Sequence, residues 1–196
     1  YQAVVTAKTL PWAKLGVARA QLDEGQSAKA VSTLENLISE DPNYTDAYDV
    51  MGRAQFEQGK FEAALNTYRM ASTLTPSSIT RLQNLGMMSY YSGHRLEAEK
   101  ILDRTVRLGL DSKMFDCQTL VLLAFARLES DDRKGLQRCS DDFARLIERS
   151  PGNQRVQRLA AFVTALQLIE QRQYAQVIKV VRELCSHCLL YTSPSP

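Results

Sequence analysis

Apolar residues recur at steps of three and four along most of this chain, and the run Phe61, Ala64, Leu65, Tyr68 and Ala71 shows it most cleanly. That spacing places one apolar stripe on an α-helix and leaves the opposite side polar. Glycine and proline punctuate the stripes. In "MGRAQFEQGKFEAALNTYRMASTLTP" the pattern predicts a first helix ending at Gly59, which closes a helix in the left-handed conformation without steric cost. A second helix follows and stops before Pro76, whose ring nitrogen has no hydrogen to give.

The unit repeats. Gly25, Gly59 and Gly93 are 34 residues apart, as are Ala30, Ala64 and Ala98. The same step relates Ala18, Gly52 and Gly86, then Leu22, Phe56 and Tyr90, and also Pro42 and Pro76. Such a period marks stacked helical units, because one helix pair cannot cover its own apolar face. Gly52 and Ala64 are small where the two helices of a unit must approach. Clear units are expected at about 11–44, 45–78 and 79–110, and looser ones at about 111–152 and 153–187. In the fourth, "CQTLVLLAFARLES" reads as the first helix, "DDRKG" as a turn and "LQRCSDDFARLIE" as the second helix, ended by Pro151. Its extra length falls at residues 109–116 or 130–135. The fifth pairs "QRVQRLAAFVTALQLIEQ" with "YAQVIKVVRELC".

The residues Met51, Gly52, Phe56, Gly59, Ala64, Tyr68, Ala71 and Pro76 meet the tetratricopeptide pattern almost in full, and the chain resembles that repeat family. The preceding unit keeps Ala18, Leu22, Gly25, Ala30, Leu34, Leu37 and Pro42, with Trp12 and Leu15-Gly16 two residues early. The next keeps Leu85, Gly86, Tyr90, Gly93, Ala98 and Leu102, with Leu110 in place of the proline. The resemblance implies an all-α fold, a right-handed α-solenoid of about five helix-turn-helix units over residues 1–187, with residues 1–8 ending a preceding unit. It implies a concave side made of first helices that holds a peptide or a partner helix. Mapped onto this chain, the groove residues are Trp12, Arg19, Asp46, Asp49, Arg53, Gln83, Met87 and Tyr91. Arg19 and Arg53, one period apart, suit bidentate capture of a carboxylate, or else pair with Asp23, Asp49 or Glu57 on their own surface. Trp12 is an aromatic anchor for a ligand, or a staple against a preceding unit. The family's clamp for chaperone tails needs Asn where Gly16 and Val50 stand, so that ligand is disfavoured.

Composition narrows the function classes. With 44% hydrophobic and 23% charged residues the chain is not disordered as a whole. A net charge of +2 does not fit a nucleic-acid surface, and the basic residues of "RSPGNQRVQRLAAF" alternate with apolar ones as on a solvated helix face. The longest apolar stretch, "LVLLAFARL", is about half the roughly 20 residues a membrane span needs. Four scattered cysteines form no disulfide framework, which fits a reducing, cytoplasmic setting. The chain begins at Tyr1 without a leader, so a fragment or an upstream start is expected.

No phosphate-binding loop or nucleophile motif occurs, so no enzyme activity and no cofactor are expected. His94 reads as a solvated turn residue. Cys185, His187 and Cys188 are the one metal-like grouping, and zinc on the cysteine pair would need two further ligands. The ending "CLLYTSPSP", residues 188–196, resembles a translated sequencing adapter, which would make the second cysteine an accident of a junction.

"PWAKLG" opening one unit, "AYD" opening the next and "VRLGLDS" further on resemble the repeat half of bacterial two-component response regulators. That likeness implies a signal-transduction output with a receiver domain upstream of Tyr1 and a protein or peptide partner. A scaffold of cell-envelope assembly and an RNA-binding helical repeat are the alternatives.

Overall fold

The computed structural model describes residues 10–112 and 115–189, with side chains up to Cys185. All regular structure in it is helical. Helices α1 (Pro11–Asp23) and α2 (Ser27–Glu40) form the first pair, α3 (Thr45–Glu57) and α4 (Phe61–Leu74) the second, and α5 (Ile79–Tyr91) and α6 (Arg95–Gly109) the third. Two further pairs follow, α7 (Gln118–Glu129) with α8 (Arg133–Arg149) and α9 (Gln154–Glu170) with α10 (Tyr174–Leu189). The all-α helical-repeat class expected from the period is the observed one. The chain divides into two compact units between Ile101 and Leu102, inside α6.

Each turn within a pair closes the same way. Gly25, Gly59 and Gly93 adopt φ of +75°, +72° and +83°. The amide three places past each helix reaches back to a carbonyl five residues earlier, as in Gln26 N–H to Gln21 O at 2.7 Å and Lys60 N–H to Gln55 O at 2.9 Å. This satisfies carbonyls that the last helical turn leaves open. Asp131 and Arg172 close the fourth and fifth turns at φ of +57° and +58° without glycine, and each is paired with the same backbone bond, Asp132 N–H to Arg127 O and Gln173 N–H to Leu168 O. A non-glycine residue there carries about 1–2 kcal/mol of strain.

The fourth unit differs from the sequence reading in one place. Its second helix begins at Arg133, so the "RKG" expected in the turn is helical. The cause is local, since the Asp132 carboxylate caps that helix by accepting from the Gly135 amide at 2.9 Å. The extra length lies in the connection between Gly109 and Gln118 and in the longer α8.

Packing inside a pair rests on size matching. Gly52 of α3 faces the ring of Tyr68 in α4, and a Cβ at Gly52 would lie 2.6 Å from the Tyr68 Cζ. A hydrogen bond seals each of the first two pairs: Thr33 donates to Gln21 at 2.9 Å and Thr67 to Gln55 at 2.7 Å. The fourth pair places Arg127 and Cys139 at these same register positions. Arg127, only 3% exposed, donates to the Gly135 carbonyl at 2.9 Å and to Cys139 Sγ at 3.2 Å, and pairs with Asp103. The core of the first unit gathers Leu15, Leu22, Leu34, Leu37, Leu65, Met88 and their alanine neighbours; that of the second gathers Leu120, Leu123, Leu136, Phe143, Val163 and Leu166.

Gly52→Ala is expected to destabilise the chain by about 1–3 kcal/mol through overpacking, read as a lower urea midpoint. Adding Tyr68→Leu should recover much of that loss, because α1 and α2 already combine Ala18 with Leu34 at these register positions.

Candidate protein-binding face

The first helices of the first unit, α1, α3 and α5, lie in register because the pairs repeat every 34 residues. Residues one period apart therefore recur along one face: Trp12 and Asp46; Arg19, Arg53 and Met87; Asp49 and Gln83; Asp23, Glu57 and Tyr91. All eight sequence-nominated residues lie on these three helices. Trp12 is 53% exposed and Tyr91 50%, while Asp49, Gln83 and Met87 are half-buried.

One residue that the sequence reading did not nominate organises the charges. Arg81 of α5 has a side chain only 12% exposed, and it reaches to α3. Its Nε donates to both Asp49 carboxylate oxygens at 3.0 and 3.2 Å, one terminal nitrogen donates to Asp46 at 2.9 Å, and the other to Thr75 Oγ1 at 2.8 Å. Asp46 and Asp49 thus bind a neighbouring helix. Burial pushes the Asp49 carboxyl above its usual range, and the Arg81 hydrogen bonds and charge pull it back, with Arg19 adding a smaller downward pull. The signal was present in the sequence: Arg81 stands where the earlier repeats have Ala13 and Ala47.

The two arginines differ. Arg53 donates to Glu57 at 3.0 Å and sits 3.6 Å from Asp23, both on exposed surface. Among the described residues Arg19 is hydrogen-bonded to no carboxylate, and its side chain is exposed. Beside Arg53 runs an aromatic row. Phe56 packs 5.7 Å from Phe61 and 6.0 Å from Tyr91, and Tyr91 meets Tyr90 edge-on at 6.0 Å. Leu22, one period before Phe56, is 3% exposed, whereas Phe56 is 36% exposed and Phe61 41%. The aromatic positions thus change from core to surface along the face.

Elsewhere, titratable groups have structural surroundings. Tyr68 is pushed up to about 12, first by burial and then by the Asp49 charge. Burial likewise holds the Cys139 thiol up at about 11 against the pull of Arg127, so it stays protonated and unreactive. His94 contacts Glu62 at 3.1 Å on the surface. A hollow of about 730 Å³ in the second unit is lined by Cys117, Arg149 and Arg155, and those arginines already pair with Asp111 and Asp116. Cys185 is exposed, and the side chains of His187 and Cys188 lie outside the described residues, as does the 190–196 ending. Among the described residues no group of three metal-binding side chains occurs.

Residues 11–86 match the tetratricopeptide repeat family model. Over 92 residues, 47% of this chain, it is 30% identical to tetratricopeptide repeat protein 37 of Xenopus laevis, and over 93 residues 29% identical to superkiller complex protein 3 of Homo sapiens. The chain spans about 6% of the length of each of these relatives. Its fold matches that of YrrB, a tetratricopeptide repeat protein with an unusual peptide-binding site, at a TM-score of 0.71 and 12% identity, covering 94% of this chain and 90% of YrrB.

Arg81→Met should cost about 1–3 kcal/mol, since it leaves the half-buried Asp49 carboxylate without its donors. Asp49 then carries a folded-state pKa further above its unfolded value. The native state binds the proton more tightly, so the deficit should shrink as pH falls through the carboxylate range. Denaturant midpoints of R81M and of R81M with Asp49→Asn across pH 4–8 test both statements.

Proposed function

We propose that the chain, a tetratricopeptide repeat protein, is a protein–protein interaction scaffold that holds an extended peptide or a partner helix on the first-helix face of its first unit. The observation that carries this reading is the exposed aromatic row Phe61–Phe56–Tyr91 with Arg53 beside it. Large aromatics left open next to a guanidinium offer apolar burial and directional hydrogen bonding together, the combination that dominates binding energies at protein interfaces. Trp12, Arg19, Gln83 and Met87 extend the surface in both directions along the repeat. YrrB, with its peptide-binding site on the same fold, supports the assignment by analogy.

Side-chain chemistry on this face suits binding. Its carboxylates neutralise Arg81 or Arg53. The finer reading is the output half of a bacterial two-component response regulator working in the cytoplasm. It rests on the openings "PWAKLG" and "AYD", and a receiver domain encoded upstream of Tyr1 would bear it out. Among the described residues no helix is long and apolar enough to cross a membrane.

The test is a displayed library of random peptides selected on the full chain, with the winning peptide titrated by fluorescence anisotropy. Arg53→Glu and Tyr91→Ala should each weaken binding at least tenfold while circular dichroism and melting temperature stay unchanged. Undiminished affinity in both variants would remove the face as the binding site.

A further inference from the structure

The connection that leads into α7 departs from the others. Residues 41–44 and 75–78 are short links in the first unit, and residues 150–153 are one between α8 and α9, whereas residues 110–117 run on for about twice that length. The added chain folds against the end of α8 and the start of α9, where all three segments wall the hollow of about 730 Å³ within the second unit. That volume lies in the range of small-ligand pockets. None of the lining residues belongs to the first-helix face of the first unit.

The hollow has an apolar floor and a rim of hydrogen-bond donors. Leu110, Phe115, Cys117, Leu146 and Val156 form the floor. Burial pushes the Cys117 thiol up, against a smaller downward pull from Arg155, so the floor stays uncharged. On the rim, Arg149 pairs with Asp111, and Arg155 donates to Asp116 at 3.1 Å. A guanidinium carries five N–H groups, and the described residues engage neither arginine further. Asn153 accepts the Arg155 and Val156 amides with its side-chain oxygen, at 3.1 and 3.2 Å, which leaves its NH2 group to give. The two carboxylates of the lining already face arginines, in exposed ion pairs of a kind that contributes little to stability. Donors on this rim therefore exceed the acceptors that use them.

We propose that this hollow is a ligand site separate from the first-helix face, and that it takes a carboxylate joined to a compact apolar group. The apolar part covers the floor, and the carboxylate receives N–H groups from Arg149, Arg155 and Asn153. Two oxygens in one plane match the forked donors of a guanidinium. An inorganic anion would meet the same donors and leave the floor uncovered. A free branched-chain acid and a protein C terminus ending in leucine both present the required chemistry.

Fluorescence anisotropy of the full chain with a labelled glycine-serine peptide that ends in leucine tests this. The peptide with a free C terminus should bind saturably, and its C-terminal amide at least tenfold more weakly. Arg149→Gln and Arg155→Gln should each weaken binding at least fivefold with circular dichroism unchanged. Arg145→Gln removes the same charge from α8 outside the hollow, and Tyr91→Ala alters the first-helix face; both should bind as the unmodified chain does. Displacement by N-acetyl-leucine would support the proposal with a free acid as sufficient ligand, and peptide binding that N-acetyl-leucine does not displace would support it with a protein C terminus as the source. Equal binding of acid and amide, binding by neither, or undiminished affinity in both hollow variants overturns the proposal. The comparison of acid with amide uses the unmodified chain, so it decides the matter even if a variant fails to fold.

Discussion

The structure depends on how closely two antiparallel helices can approach within one repeat. At Gly52 the backbone of α3 meets the ring of Tyr68 with no room for a Cβ between them. That contact sets the spacing of the pair, and the left-handed turn at Gly59 sets its direction. Once both are fixed every 34 residues, the second helix of one unit covers the first helix of the next, and first helices come into register. The proposed binding face is a by-product of this constraint. Residues such as Arg19 and Arg53, distant in sequence, become neighbours in rank because the backbone between them is spaced identically.

This dependence explains what the sequence discloses. Turns, helix pairs and the clear repeats are legible because glycine at a left-handed turn, a small residue at the close approach and proline past the second helix each answer a backbone requirement that few residues meet. The fourth and fifth turns are harder to read. Asp131 and Arg172 adopt the same conformation, and their neighbours give the same backbone hydrogen bonds, but nothing about an aspartate or an arginine advertises that geometry. The start of α8 at Arg133 was obscured for a related reason, since "DDRKG" has turn composition and the cap that makes it helical is a single carboxylate.

The proposed binding face was legible as a set of positions and less so as chemistry. Periodicity places Trp12, Asp46, Arg53 and Tyr91 on first helices, yet it is silent on which charges are already engaged. That information lies in departures from the repeat. Arg81 occupies an alanine position and draws in Asp46 and Asp49; Arg127 with Cys139 replaces the Gln–Thr bridge of the first two pairs; Phe56 is open where Leu22 is closed. Regular positions build the array, and irregular ones give it a particular surface. The period alone therefore determines the fold and stops short of the ligand.

The central claim is that binding uses the first helices of the first unit, with Phe61 at the start of α4, and leaves the rest of the second helices uncovered. Hydrogen–deuterium exchange of the full chain, with and without a selected peptide at saturation, reads this directly. The account predicts added protection in α3 and α5, strongest around Phe56 and Tyr91, with α2 and α8 unchanged. Protection confined to second helices, or to the second unit, would contradict it.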